Sequence, residues 1–220
     1  MMSDSRHVSK RMKSLGTENA FVVLAEVNKL IAEGKPIISF CIGQPDFPTP
    51  ENICNAAHAA IDAERHGYTP SPGIMPLREA IAADLTQSRG IPVTPESVVV
   101  AAGAKPFIGY TIFAVTDYGT GDEVLYPNPG FPIYESQIKA SGAVPVQLPL
   151  LESKAFNFDM ETLKARISDK TRLLILCSPQ NPTGGVLSRG ELETIAELCI
   201  KHNIWVFSDE VYSRLVYDGE

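Results

Sequence analysis

The chain is poor in the residues that staple small folds or hold metals. Its four cysteines, Cys41, Cys54, Cys177 and Cys199, form no C-x-x-C pair. A disulfide framework and a zinc site both lose their basis, and buried thiols in a reducing cytoplasm are the plain reading. Positive charge is also short. There are 19 Lys and Arg against 26 Asp and Glu, a net charge of −7. That argues against broad attraction to nucleic acid or anionic lipid, though it leaves room for a local basic pocket. The start, Met1–Leu15, is polar and basic and lacks the apolar centre of a signal peptide. The one stretch resembling a membrane span, Ser97–Thr116, is broken by Gly103, Lys105, Pro106 and Gly109. It reads as a strand, a turn and a helix. A soluble, cytoplasmic protein is expected, with no nucleic-acid or membrane partner.

What is present is an ordinary globular composition, 44% apolar and 20% charged over 220 residues, enough for one large domain or one and a half. Ser14–Gly34 carries Phe21, Leu24, Val27, Leu30 and Ile31 at helical spacing and stops at Gly34 and Pro36. Ile37–Ile42 is a short apolar run closed by Gly43-Gln44-Pro45-Asp46. A second helix is expected from Thr49 as N-cap, with Pro50 at the first helical position and Ile53, Ala57, Ala60 and Ile61 on its apolar face. A third runs from about Met75 to Ser88.

From there the pattern becomes regular. Five short apolar runs, Val98–Ala102, Glu123–Tyr126, Val144–Leu148, Leu173–Cys177 and Ile204–Phe207, are mostly apolar at successive positions. That is the mark of strands covered on both faces. Helix-like segments lie between most of them, at Pro106–Val115, Pro132–Ala140, Met160–Ile167 and Arg189–Lys201. The last is the best marked, because Ser188 and Glu191 spell a capping box ahead of Leu192, Ile195, Ala196 and Cys199 on one face. Strand and helix in alternation predict an α/β fold with a mostly parallel sheet and helices on both faces.

In such a sheet ligands bind beyond the carboxyl ends of the strands. Those ends read Gly103-Ala104-Lys105, Pro127-Asn128-Pro129-Gly130-Phe131, Ser178-Pro179-Gln180-Asn181-Pro182-Thr183-Gly184-Gly185 and Ser208-Asp209-Glu210-Val211-Tyr212. Taken singly, each has a bland reading. Gly103 and Ala104 make a tight turn, Lys105 is a solvated charge, and Phe131 is core. Asn181 is turn chemistry, Asp209 a helix cap, and Tyr212 a packing residue. Together they are backbone-special loops with a few polar groups and one aromatic, which is what a cofactor pocket needs. Competing motifs are absent: no G-x-G-x-x-G after a strand, no Walker loop, no H-E-x-x-H and no G-x-S-x-G.

As a set the loops resemble the class I aminotransferases, fold type I pyridoxal-phosphate enzymes, and the aspartate aminotransferase-like members among them. The resemblance rests on Ile42-Gly43-Gln44-Pro45-Asp46-Phe47, Tyr68-Thr69-Pro70, Gly73 through Leu77-Arg78-Glu79, and Gly103-Ala104-Lys105. It continues through Tyr126–Phe131, Ser178–Gly184 and Ser208–Tyr212. It implies an N-terminal arm and small-domain segment over residues 1–47 and part of the cofactor-binding large domain over 48–220. It implies pyridoxal 5′-phosphate as cofactor and an amino acid and a 2-oxo acid, acidic ones by preference, as substrates. Asp209 would pair with the protonated pyridine nitrogen, keeping the ring able to absorb electrons. Asn181 and Tyr212 would bond its phenolic oxygen, and Phe131 would stack on the ring. The backbone at Ala104 and Lys105 would meet the phosphate, with Lys105 also facing the substrate. Gly43 would lie against the substrate carboxylate. Tyr68 would reach the phosphate of a neighbouring subunit, which implies a homodimer.

The family's Schiff-base lysine follows the S-D-E-x-Y strand, in S-K-x-x-x-x-x-G-x-R, and its carboxylate-clamping arginine comes later still. Both fall beyond Glu220, and neither Lys105 nor Lys201 matches the lysine's position. No catalytic residue is therefore assigned within the chain, and a fragment of a longer aminotransferase, inactive by itself, is the expectation. The alternatives are a C–S lyase of the same fold, or a non-catalytic cofactor-binding or dimerisation protein.

Overall fold

A computed structural model of the chain describes residues 9–13, 15 and 19–217. Two compact units emerge: residues 19–103 form one, and residues 104–217 with the described part of the N-terminal stretch form the other.

The 19–103 unit is helical. It holds α1 (Asn19–Ala32), α2 (Glu51–Asp62) and α3 (Met75–Arg89). The expected start of the first helix, at Ser14, lies outside the described residues. Leu24, Val27 and Leu30 are half-buried along α1, whereas Phe21 and Ile31 of the same stripe are exposed. The second helix begins one residue later than its sequence signals predict. Pro50 takes the N-cap position, and no side chain caps the helix. The missing N–H of proline is harmless there, at the start of a helix. The expected strand Val98–Ala102 is a further correction. Val98 has extended backbone angles, but no ladder partner runs beside the segment among the described residues, and the Val100 N–H goes to the Pro72 carbonyl instead. Extended chain becomes a strand only when a neighbour pairs with it.

The 104–217 unit carries the expected α/β pattern. In chain order it runs α4 (Lys105–Val115), β1 (Glu123–Asn128), α5 (Ile133–Ser141), β2 (Val144–Leu151), β3 (Asn157–Phe158) and α6 (Met160–Arg166). It continues with β4 (Thr171–Cys177), α7 (Arg189–His202) and β5 (Trp205–Asp209). The sheet order is β3-β2-β1-β4-β5, parallel except where the two-residue β3 turns back antiparallel on β2. β3 is too short to leave a periodic signal in the sequence.

Successive apolar residues serve opposite faces of this sheet. Val124, Tyr126, Leu173 and Ile175 join Ile108, Ile112, Tyr134 and Ile138 of α4 and α5. Leu125, Leu174 and Leu176 join Leu163 of α6 and Ile195 and Cys199 of α7. The unbroken apolar runs are thus explained, since every position faces a helix. The capping box forms as predicted: Ser188 Oγ accepts from the Glu191 N–H, and Glu191 reaches back to the Ser188 N–H at 2.8 Å. Among the described residues no helix is long and apolar enough to cross a membrane, and no group of three ligating side chains gathers for a metal. All four cysteines are free, two of them buried.

At the amino edge of the sheet Asp122, nearly buried, accepts the Asp117 N–H at 2.9 Å and pairs with Arg172 Nε at 3.1 Å. The Asp117 N–H foremost, then Thr120 and Arg172, hold its carboxyl below the usual carboxylate range, against the opposing effect of burial. A depressed folded-state pKa stabilises above the unfolded value and loses that contribution as pH falls through the folded one. Asp122→Asn is therefore expected to lower stability near neutrality. The gap from wild type should close as pH drops from about 5 to about 2, read by urea unfolding across that range. A gap independent of pH would show that the charge plays no part.

Candidate active site

The order β2-β1-β4 places successive connections on opposite sides of β1, so the chain changes direction between β1 and β4. In an open α/β sheet that switch point opens a crevice at the carboxyl ends of the strands. Three loops leave from there.

The first follows β1. The chain folds back so tightly over Pro127–Gly130 that a Cβ on Gly130 would sit 2.3 Å from the Pro127 carbonyl oxygen, a contact no side chain tolerates. This turn delivers Phe131, half-buried, to the start of α5. One helical turn on, Tyr134 is fully buried, and the two rings meet edge to face with centroids 5.7 Å apart.

The second element is the end of β5. Register with β4 sets Asp209 beside Cys177. Tyr134 Oη donates to Asp209 Oδ2 at 2.7 Å, and the Val211 N–H approaches Oδ1 at 3.4 Å. Burial first, then the Asp209 carboxylate, pushes the Tyr134 hydroxyl far above its ordinary value, so it remains a donor throughout the working pH range. Burial likewise pushes the Cys177 thiol up, against the Asn181 N–H that favours thiolate. The neutral thiol donates to the Pro179 carbonyl at 3.3 Å.

The third loop joins β4 to α7. Gln180 and Gly185 bond through their backbones at 2.8 Å, and Ser178 Oγ accepts the Leu187 N–H at 3.0 Å. Gly185 passes so close to the Ala155 and Phe156 carbonyls that an added Cβ would lie 2.8 and 2.7 Å from them. Asn157 Nδ2 ties the loop down by donating to the Val186 carbonyl at 2.7 Å. Asn181 stands half-buried at the tip of this braced loop.

The remaining feature is the N-terminus of α4. Ala104 takes the N-cap position with no side-chain cap, and the first turn carries no acidic residue. The positive end of the helix dipole favours an anion there. Lys105, the first residue of the helix, holds Nζ 5.5 Å from the centroid of the Phe131 ring.

Of the residues singled out from the sequence, Lys105, Phe131 and Asp209 form one connected string, with Tyr134 as the link between ring and carboxylate. Asn181 joins it through the Cys177 thiol. Tyr212 is half-buried in the turn after β5, where its carbonyl accepts the Leu215 N–H at 2.8 Å. Gly43 and Tyr68 belong to the 19–103 unit, and both are exposed. Tyr134 was not legible as a site residue. Its one sequence signal is a position three residues past Phe131.

Comparison with known proteins bears on the family and the fold. The pattern of the family described as aminotransferase class I and II matches residues 35–220. A probable aspartate/prephenate aminotransferase of Aquifex aeolicus is 38% identical over 210 residues, which is 96% of this chain and 53% of that protein. A bifunctional aspartate aminotransferase and glutamate/aspartate-prephenate aminotransferase of Petunia hybrida is also 38% identical, over 96% of this chain and 44% of its own length. Among solved structures, the aspartate aminotransferase of Thermus thermophilus with maleate superposes with a TM-score of 0.92 at 33% identity, covering 98% of this chain and 56% of that one. The chain spans about half the length of the curated relatives it matches. With the fold, the loops and the relatives in agreement, the chain belongs to the aminotransferase class I and II family.

Proposed function

We propose that the protein moves an amino group between an amino acid and a 2-oxo acid with pyridoxal 5′-phosphate, taking acidic substrates such as aspartate. The observation that carries this reading is the Asp209 carboxylate, held by a buried tyrosine at 2.7 Å at the end of β5, in one string with an aromatic ring and a lysine at an open helix start. A flat, cationic, phosphorylated ring matches that set: an anion at its nitrogen, an aromatic platform, and a helix start with a lysine for its phosphate. Family membership and the names of the relatives support the cofactor and the acidic substrate.

The bound cofactor supplies an electron sink for the pair released when a bond to the substrate's Cα breaks. The chain's own residues prepare for this. Asp209 keeps a proton on the ring nitrogen, because an ionised carboxylate opposite favours the charged ring. Phe131 stacks on the ring, and Asn181 and Tyr212 donate to its phenolic oxygen. The α4 N-terminus at Ala104 and Lys105 holds the phosphate, with Lys105 also facing the substrate. Gly43 leaves room at the substrate carboxylate. Tyr68 reaches the phosphate of a neighbouring subunit, so a homodimer completes each site, in a cytoplasmic protein. Residues 1–47 serve as arm and small-domain segment, and residues 48–220 as part of the large domain. The proton-carrying lysine and the carboxylate-binding arginine come from sequence after Glu220.

Supplied with pyridoxal 5′-phosphate, aspartate and 2-oxoglutarate, the longer protein is expected to form oxaloacetate and glutamate, whereas residues 1–220 alone bind cofactor without turnover. Pyruvate released from a cysteine conjugate, with no oxaloacetate from aspartate, would overturn the transamination reading in favour of a C–S lyase.

A further inference from the structure

Tyr134 has an ordinary role as a core side chain packed under the sheet beside Ile138 and Ile175. A phenylalanine would fill that role equally well and would need no acceptor. The hydroxyl therefore requires its own account. It is buried, it stays protonated, and it spends its one proton on Asp209 Oδ2. Asp209 is only half-buried, and among the described residues one other donor lies near it, the distant Val211 N–H. A carboxylate held so loosely on one oxygen rotates unless the other is pinned. A 2.7 Å bond from a rigid aromatic stem to an ionised carboxylate is a strong pin.

We infer that Tyr134 is a positioning residue: its hydroxyl fixes the Asp209 carboxylate in the orientation that receives a protonated ring nitrogen. The inference rests on the cofactor reading above and deepens it. Tyr134 has no contact with the ligand in this role and acts wholly through Asp209. The groups that face the carboxylate are few: the Tyr134 hydroxyl from α5, the neutral Cys177 thiol from β4, and the Val211 N–H from its own turn. Only the first is both short and aimed at a carboxylate oxygen.

The test compares two ligands in the full chain: pyridoxal 5′-phosphate and its analogue with the ring nitrogen replaced by carbon. Wild type binds the first more tightly, because only the first has a nitrogen for Asp209. Tyr134→Phe is expected to weaken binding of pyridoxal 5′-phosphate about tenfold and to leave the carbon analogue nearly unchanged, as measured by equilibrium dialysis. In an Asp209→Ala background the same substitution costs neither ligand anything, the signature of two residues acting as one unit. Tyr134→Leu, which removes hydroxyl and ring together, reproduces the loss of selectivity, since selectivity follows the hydroxyl. A structural role alone weakens both ligands equally, and that result overturns the inference while leaving the cofactor site standing. So does a loss that persists without Asp209. A wild type that binds neither ligand overturns the cofactor reading itself, and the inference with it.

Discussion

Gly130→Ala is expected to destabilise the protein by at least about 2 kcal/mol and to dismantle the aromatic platform, a larger effect than its one added methyl suggests. The added Cβ would lie 2.3 Å from the Pro127 carbonyl oxygen, and both atoms belong to the backbone side of a closed turn. A flexible side chain could swing away from such a contact. A backbone carbonyl in a strand cannot swing in that way, because Pro127 is held in register against Leu148 of β2. The strain is relieved only by opening the turn, which carries Phe131 away from Tyr134 and from Lys105. Urea unfolding and pyridoxal 5′-phosphate affinity should therefore fall together. Gly190 provides the opposite case. It lies in α7 with nothing within 4 Å of an added Cβ and no left-handed backbone, so Gly190→Ala should stabilise by roughly 0.5–1 kcal/mol. A Gly130→Ala variant within about 0.5 kcal/mol of wild type would show that the turn opens freely and that the clash is not a constraint.

The second large effect separates the two faces of the sheet. Leu174 and Ile175 are neighbours on β4, both essentially inaccessible, but they point into different cores. Truncating either to alanine removes buried methyl groups and leaves a cavity, at a cost of about 2–5 kcal/mol. The global destabilisation should therefore be similar. The consequences for the site should differ. Ile175 packs in the cluster that contains Tyr134, so Ile175→Ala loosens the tyrosine that holds Asp209. Leu174 packs with Leu163 and Ile195 on the far side, away from that string. Cofactor affinity is expected to drop in Ile175→Ala beyond what unfolding accounts for, and to stay near wild type in Leu174→Ala when measured well below the unfolding midpoint. Equal losses in the two variants would mean that the site senses overall stability and not the local packing of Tyr134.

Much of the fold of the 104–217 unit was legible because its signals are local. Four of the five apolar runs are strands, within a few residues at their ends, and each of the four helix-like segments between them is a helix. The capping box at Ser188 and Glu191 marked the start of α7 to the residue. Such signals survive because a strand buried on both faces has no polar position to spare, and because a helix end must satisfy its own N–H groups nearby in sequence. The misses have the converse cause. Val98–Ala102 has strand composition, but pairing is a property of a neighbour, and none lies beside it among the described residues. The Thr49 cap failed because the helix starts one residue later, with Pro50 at its N-cap.

The sequence by itself determined the alternation of strand and helix, the loops at which chemistry would gather, and the family to which those loops point. Composition and spacing act within a few residues, and that range is enough to specify elements and turns. Tertiary structure alone decided the strand order that puts a switch point between β1 and β4, and the register that sets Asp209 beside Cys177. It also decided the 2.7 Å bond from Tyr134 to a carboxylate 75 residues away. A hydrogen bond across that separation exists only after the sheet has assembled, because it depends on which strands are neighbours and on which face each side chain emerges. No local pattern encodes either.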